Sequence, residues 1–232
     1  MVDLKEVKHI FFDLDDTLWD FESNSKEALH KLFSEFELNQ YLKTDFDTFL
    51  IAYKKVNAYL WTLYHKDKIT KEDLRFKRFH DTFLDFGYRN EEKAISFSDG
   101  YIATSPHGTK LKKGAVELLN KASEKYKLHI ITNGFKEVQY LKLTNCGIRN
   151  YFDNVLVSEE VGFNKPDKRL FLKAQELCNT ESTNCLMIGD NYDTDIQGAK
   201  KAGWQSLWYN PYQVKRFQGK QIQCLTEFTN IL

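Results

Sequence analysis

The sequence predicts an α/β fold: a parallel five-stranded core sheet covered by helices, with an α-helical bundle inserted after the first strand. Three observations predict it. His9-Ile10-Phe11-Phe12-Asp13-Leu14 places large apolar side chains at successive positions, without the alternation of a half-wet strand, so this strand is buried on both faces. Residues 19–103 then read as helix after helix with no strand between them. From Gly108 onward helices and strands alternate, as right-handed crossovers in a parallel sheet require. The first strand has no partner near it in sequence and must join the later ones. The core is therefore discontinuous, residues 1–18 and 104–232, and residues 19–103 form a helical cap.

In the insert, Leu29, Leu32, Phe33 and Phe36 mark one helical stripe over 23–38. Phe46, Phe49, Leu50, Tyr53, Val56, Leu60 and Leu63 mark a second over 44–65, and Phe76, Phe79, Phe83 and Phe86 a third over 70–86. Thr70, with Asp73 three residues on, is an N-cap signal. A weaker pattern covers 91–103. In the core, a helix over 112–126 with Val116, Leu119 and Ala122 inward precedes strand 128–132. Helix 135–145, stopped by Gly147, precedes strand 154–158; helix 167–177 precedes strand 185–189; helix 194–202, stopped by Gly203, precedes strand 205–209.

Lys+Arg and Asp+Glu balance at 33 each, so no global field favours a nucleic-acid polymer or an acidic membrane surface. No apolar run reaches the roughly 18 residues that a membrane span needs. The opening Met1-Val2-Asp3-Leu4-Lys5-Glu6 is too charged for a signal peptide. Cys146, Cys178, Cys185 and Cys224 are scattered, which suits buried thiols in a reducing compartment. The expectation is a cytoplasmic protein, a monomer or weak homodimer, without a membrane partner.

Strand ends on the carboxyl edge of such a sheet converge. They bring together Asp13 and Asp15, then Thr132-Asn133-Gly134, then Gly189-Asp190 with Asp193 and Asp195 just beyond; Lys165 sits in the segment Gly162–Asp167, at the start of a helix. Meeting carboxylates call for a hard cation such as Mg²⁺. A threonine hydroxyl, backbone N–H groups around Gly134 and a lysine ammonium suit the spread charge of a phosphoryl group. An ionised aspartate between them can attack phosphorus, and a second carboxyl two residues on can move the protons.

Asp13-Leu14-Asp15-Asp16-Thr17, Thr132-Asn133-Gly134, Lys165-Pro166 and Gly189-Asp190 followed by Asp195 resemble, in order, the four motifs of the haloacid dehalogenase (HAD) superfamily of phosphohydrolases. The resemblance implies a Rossmann-like, HAD-like core with a helical cap placed directly after motif one. It implies Asp13 as nucleophile and metal ligand, and Asp15 as general acid and base with its carbonyl also on Mg²⁺. Thr132, Asn133, Gly134 and Lys165 would bind phosphate; Asp190 would complete the metal site, with Asp195 in its outer shell. Thr17 would tie down its loop, while Asp16 and Asp193 read as a turn residue and a solvated helix-start acid. The founding dehalogenases lack the second acid of motif one, so Asp15 groups this chain with the phosphotransferases.

Substrate choice should lie with the insert. There Asn57 interrupts an apolar stripe, Trp61 offers a flat face, and Arg78 sits beside Phe79 among Lys66, Lys68, Lys71, Arg75 and Lys77. The bland readings are a core tryptophan, an internally bonded amide and a solvated basic face. The run Asn57, Leu60-Trp61, Lys68-Ile69-Thr70, Arg78-Phe79, with 158–163 ahead of Lys165, is similar to bacterial pyrimidine 5′-nucleotidases that clear noncanonical nucleotides. That resemblance implies a Mg²⁺-dependent phosphomonoesterase acting on pyrimidine nucleoside monophosphates through an aspartyl phosphate. A sugar-phosphate phosphatase or phosphoglucomutase-like enzyme is the alternative within the same chemistry. A phospho-accepting receiver-type signalling module is the alternative outside it, and it has no use for so large an insert.

Overall fold

The computed structural model describes residues 2–66, 68–215 and 219–232, so Met1 of the charged amino terminus lies outside them. The chain divides into two compact units, residues 1–21 with 109–232, and residues 22–108. The sequence drew these boundaries a few residues earlier. Trp19 and Phe21 pack against the hydrophobic core of the first unit, which carries the boundary past the last strand residue.

The first unit is built on strands β1 (His9–Phe12), β2 (Lys127–Thr132), β3 (Asn154–Val157), β4 (Cys185–Gly189), β5 (Gln205–Tyr209) and β6 (Gln221–Ile222). They form one sheet in the order β3-β2-β1-β4-β5-β6, every pair parallel. The sheet has six strands where the sequence predicts five. The sixth is two residues, Gln221 and Ile222, beside Trp208 and Tyr209, too short to show a pattern.

β1 lies mid-sheet, with Phe12 paired to Ile130 on one side and Ile188 on the other. Alternating side chains explain why its apolar residues run without a break. Ile10 and Phe12 join Leu128, Ile130, Leu186 and Ile188 beneath Leu118, Leu119 and Phe228. Phe11 joins Ile131 and Met187 on the opposite face, beneath Leu170, Phe171 and Trp204. Each such phenylalanine, fully withdrawn from water, stabilises the fold by about 1.5–3 kcal/mol.

The second unit begins within α1 (Phe21–Glu35) and continues through α2 (Leu38–Leu42), α3 (Phe46–Tyr64), α4 (Lys71–Asp85) and α5 (Glu91–Thr104). The sequence extends the first helix to 38; the chain instead breaks at Glu37, which takes a left-handed conformation, and restarts as α2. Helices α3, α4 and α5 start on side-chain caps. Asp45 accepts from the Thr48 amide, Asn90 from the Lys93 amide, and Thr70 and Asp73 form a reciprocal capping box. A cap of this kind stabilises by about 1 kcal/mol. The predicted stripes meet as an aromatic core, with Tyr53 stacked on Phe79 at 5.3 Å and Phe79 edge-on to Phe97 at 4.9 Å.

The remaining α-helices among the described residues are α6 (Ala115–Ser123), α7 (Lys136–Asn145), α8 (Ser158–Val161), α9 (Lys168–Leu177), α10 (Gln197–Lys201) and α11 (Leu225–Thr229). Two sequence expectations are corrected. Val116 is 45 % exposed, and α6 buries Ala115, Leu118, Leu119 and Ala122 instead, an i, i+3, i+4, i+7 face from which Val116 is turned by one position. The helix expected from 194 opens with a π-helical turn, Tyr192–Ile196, before α10. Cys185 is buried as expected, but Cys224 is exposed, and all four thiols are free. Among the described residues no helix is long and apolar enough to cross a membrane.

His129 of β2 is the main buried imidazole. The Asn154 amide donates to its Nδ1 at 3.2 Å, which leaves the ring proton on Nε2, 3.0 Å from Nδ1 of His9. Cys178 Sγ stands 3.8 and 3.6 Å from the two ring nitrogens. Near-equal distances put the sulfur off both lone-pair axes, so this is a hydrogen-bonded cluster and not a chelating one. Burial lowers the His129 pKa from 6.5 to about 4. Between those values the unfolded chain binds a proton that the folded chain refuses, so stability falls as pH falls. From about pH 7.5 to about pH 5 the wild type should lose about 2 kcal/mol more than His129→Gln, read from urea midpoints at both pH values.

Candidate active site

The carboxyl ends of β1, β2 and β4 bring distant polar residues to one edge of the sheet. The Asp13 amide continues the β1 ladder by donating to Ile188 O at 2.9 Å, which fixes the residue at the strand mouth. Lys165, from the loop between α8 and α9, is 2 % exposed, and its ammonium has three partners. Nζ lies 2.5 Å from Asp13 Oδ1, 2.7 Å from Asp195 Oδ1 and 2.9 Å from the Ile131 carbonyl. The Asn133 side chain is committed to placing it: Oδ1 accepts from Lys165 N at 2.8 Å, and Nδ2 donates to Lys165 O at 3.0 Å. The Lys165–Pro166 peptide is cis.

Asp190 follows β4. Thr17 donates to its Oδ1 at 3.1 Å and accepts from its amide at 3.0 Å, so Thr17 joins the motif-one loop to β4. Trp208 Nε1 donates to the Asp190 carbonyl at 2.7 Å. Asp195, fully buried on the π-helical turn, takes the Asn191 amide on Oδ2 at 3.0 Å and Lys165 on Oδ1. A Cβ on Gly189 would stand 2.2 Å from Asp195 Oδ2, so only glycine lets that carboxylate in. Thr132 Oγ1 accepts from the Gly134 amide at 3.0 Å.

Ligand oxygens of Asp13, Asp190 and Asp195 lie within 4.8 Å of one another. Burial, opposed by Lys165 and reinforced by Asp195 and Asp15, pushes the Asp13 carboxyl up to about 7. Burial and then Asp13, Asp195 and Asp16 push Asp190 well above the carboxylate range. Although burial opposes its charge, Asp13 and Asp195 hold Lys165 above the usual lysine range. Three carboxylates against one ammonium leave two negative charges uncompensated when all are ionised. An all-oxygen donor set with that charge fits a hard divalent cation.

The other acids stand apart from this cluster. Asp16 turns through the left-handed region at φ +60° and pairs with Lys112 at 2.7 Å. Asp193 is exposed, its amide bonded to Asn191 Oδ1 at 3.1 Å. Asp15 is held by two residues that the sequence reading missed. Lys142 Nζ lies 2.5 Å from its Oδ1 and Gln139 Nε2 3.0 Å from its Oδ2. A signal for them existed: both fall on the inward stripe of α7 with Leu143, where an amphipathic helix carries apolar residues.

Asn57, Trp61 and Arg78 belong to the inserted unit. Asn57 is buried and its Oδ1 has no hydrogen-bond partner; Trp61 is half-buried, edge-on to Tyr64. Arg78 is 5 % exposed, not part of a solvated face, and lies 5.0 Å over the Phe79 ring and 4.8 Å over Tyr101, with Nε unpartnered.

The chain is similar to known proteins. The family model for haloacid dehalogenase-like hydrolase matches residues 7–203. The pyrimidine 5′-nucleotidase YjjG of Escherichia coli is 33% identical over 90% of this chain and 89% of its own length. The pyrimidine 5′-nucleotidase PynA of Streptococcus pneumoniae is 33% identical over 90% and 86%. Among solved structures, YfnB of Bacillus subtilis bound to magnesium superposes with a TM-score of 0.89 at 29% identity, covering 98% of this chain and 99% of that one.

Gly189→Ala should destabilise the core by about 1–3 kcal/mol by forcing Asp195 away from Lys165, with little change in urea m-value. Equilibrium urea unfolding of the variant measures it.

Proposed function

Since the chain belongs to the haloacid dehalogenase-like hydrolase family, as a hydrolase of phosphoric monoesters, we propose that it removes phosphate from pyrimidine nucleoside 5′-monophosphates. The observation that carries the reading is the convergence of Asp13, Asp190 and Asp195 on one another, with Lys165 paired to Asp13 and Asp195; a phosphate ester and a divalent cation would together complete the neutralisation. The similarity to two pyrimidine 5′-nucleotidases supports the choice of ester.

Asp13 is the nucleophile: Lys165 holds one of its oxygens, and the other is available to attack phosphorus. The Thr132 hydroxyl holds a phosphoryl oxygen, helped by the backbone about Asn133 and Gly134, and Lys165 holds another by turning one of its three N–H donors from its present partner. The Asn133 side chain acts at one remove, through the loop of Lys165. As the bond to the ester oxygen breaks, Asp15 gives that oxygen its proton, leaving a nucleoside and phospho-Asp13. Asp15 then takes a proton from water, whose oxygen displaces Asp13 and yields inorganic phosphate. Mg²⁺ is the cofactor of this reading; Asp13, Asp190 and the Asp15 carbonyl would hold it, with Asp195 behind, and it would offset charge on the phosphoryl oxygens. Its fit rests on the oxygen donor set and on the magnesium-bound relative.

Asn57, Trp61 and Arg78 are the residues proposed to select the organic part of the ester. Their support is local: an amide oxygen and a guanidinium nitrogen are buried without partners, a cost of about 1–3 kcal/mol each that a bound ligand would relieve.

A phosphate-release screen over nucleotides and sugar phosphates, with and without Mg²⁺, tests the reading. Pyrimidine monophosphates should lead and Mg²⁺ should be required; Asp13→Asn should release no phosphate while keeping its circular dichroism spectrum. Sugar phosphates leading the screen would overturn the choice of ester, and turnover by Asp13→Asn the mechanism. Arg78→Ala or Trp61→Ala should raise KM about 10-fold for nucleotides and much less for p-nitrophenyl phosphate, since roughly 1.4 kcal/mol of lost contact is a factor of ten. Equal effects on both substrates would reduce these residues to packing.

A further inference from the structure

We propose that Lys142 and Gln139 are positioning residues for proton transfer: they aim the Asp15 carboxylate and take no part in holding phosphate. The proposal rests on the reading of Asp15 as acid and base. Both residues stand on one face of α7, three apart, and reach the two oxygens of one carboxylate from different directions, Lys142 to Oδ1 and Gln139 to Oδ2. Two donors on two oxygens fix the plane of the carboxylate as well as its place.

The site is constructed for that contact. Lys142 is 3 % exposed and Gln139 1 %, yet each carries a polar head that burial penalises unless it is partnered. Among the described residues the hydrogen bonds and ion pairs of the Lys142 ammonium go to Asp15 alone, over the Trp19 ring at 4.1 Å. Gln139 Oε1 is buried without a partner, so the amide is oriented by Asp15 at the expense of its own acceptor. Gly134 completes the arrangement. A Cβ there would stand 1.6 Å from Gln139 Nε2, so the loop after β2 is bare where this amide passes.

Phosphate binding and proton transfer thus use separate lysines, and the chemistry of the leaving group separates them experimentally. An alkoxide leaving from phosphorus needs the proton of Asp15, whereas p-nitrophenolate leaves without one. The second step, in which water loses a proton to Asp15 and displaces Asp13, needs Asp15 with either substrate.

The test is stopped-flow and steady-state kinetics of full-length K142M, K142R, Q139L and D15N on p-nitrophenyl phosphate and thymidine 5′-monophosphate with Mg²⁺. K142M should release a burst of about one p-nitrophenol per enzyme at a rate near wild type, then turn over about 10–100-fold more slowly. On the nucleotide its kcat should fall by a similar factor with KM within about two-fold, and K142R should recover most of the loss. Wild-type turnover by K142M, a burst slowed in proportion to turnover, or no recovery in K142R would overturn the proposal. Should K142M not fold, Q139L decides by the same criteria, with a smaller loss of about 3–10-fold. D15N separates the two levels: slow turnover there with normal K142M kinetics removes this proposal only, whereas normal D15N kinetics removes the reading of Asp15 itself.

Discussion

The three-way contact of the Lys165 ammonium, to Asp13, Asp195 and the Ile131 carbonyl, is the constraint on which the sheet edge depends. Carboxylates gathered at a strand mouth repel and resist burial, and only a fixed cation lets them remain close. The surrounding residues serve that cation. Asn133 holds its backbone from both sides, Gly189 lacks the side chain that would displace Asp195, and the π-helical turn brings Asp195 inward. A single lysine against three acids still leaves an excess of negative charge, which is why the arrangement suits a divalent ion and a phosphoryl group together.

The acids of the first motif show the same logic at finer grain. Asp13, Asp15 and Asp16 crowd into four positions, and each meets a lysine from a different stretch of chain: Lys165, Lys142 and Lys112. Separate partners allow separate roles. Asp16 is absorbed by a turn, Asp13 stays with the acids of β4 and the turn beyond it, and Asp15 is oriented from α7. A shared counterion would have left the three to compete for one orientation.

The fold was legible because β1 declares itself by composition and the later strands by alternation with helices. Asp13, Thr132 and Asp190 were legible because strand ends in a parallel sheet must converge, so chain order predicts neighbourhood without side-chain detail; Lys165, in the loop between α8 and α9, was legible through its lysine-proline motif. What escaped was set by tertiary context. Gln139 and Lys142 share the inward stripe of α7 with Leu143, but the group they face is fixed only when α7 is laid against the motif-one loop. The edge strand at Gln221 pairs through two residues and leaves no periodic trace. Arg78 sits in a run of cations whose average predicts a wet face, yet the aromatic rings of Phe79 and Tyr101 cover it, an outcome that periodicity cannot distinguish at one residue's resolution. The exposed Val116 shows the opposite error, an apolar residue assigned inward on an i, i+3 spacing when the buried face runs through Ala115, Leu118, Leu119 and Ala122.

The central position of β1 carries a consequence for how the chain reaches its native state. His9 pairs with Lys127 on one side and Cys185 on the other, so the middle strand finds neither neighbour until most of the polypeptide exists. Closing so long a loop costs little more than closing a short one, because the entropy grows only with the logarithm of length. Contacts of such sequence separation nevertheless form late and slowly. On the ribosome, the helices of 22–108 have their own aromatic core and can consolidate while the first strand waits. Asp13 is among the earliest residues synthesised and among the last to acquire its surroundings, so the acidic cluster is assembled only once the rest of the molecule is in place.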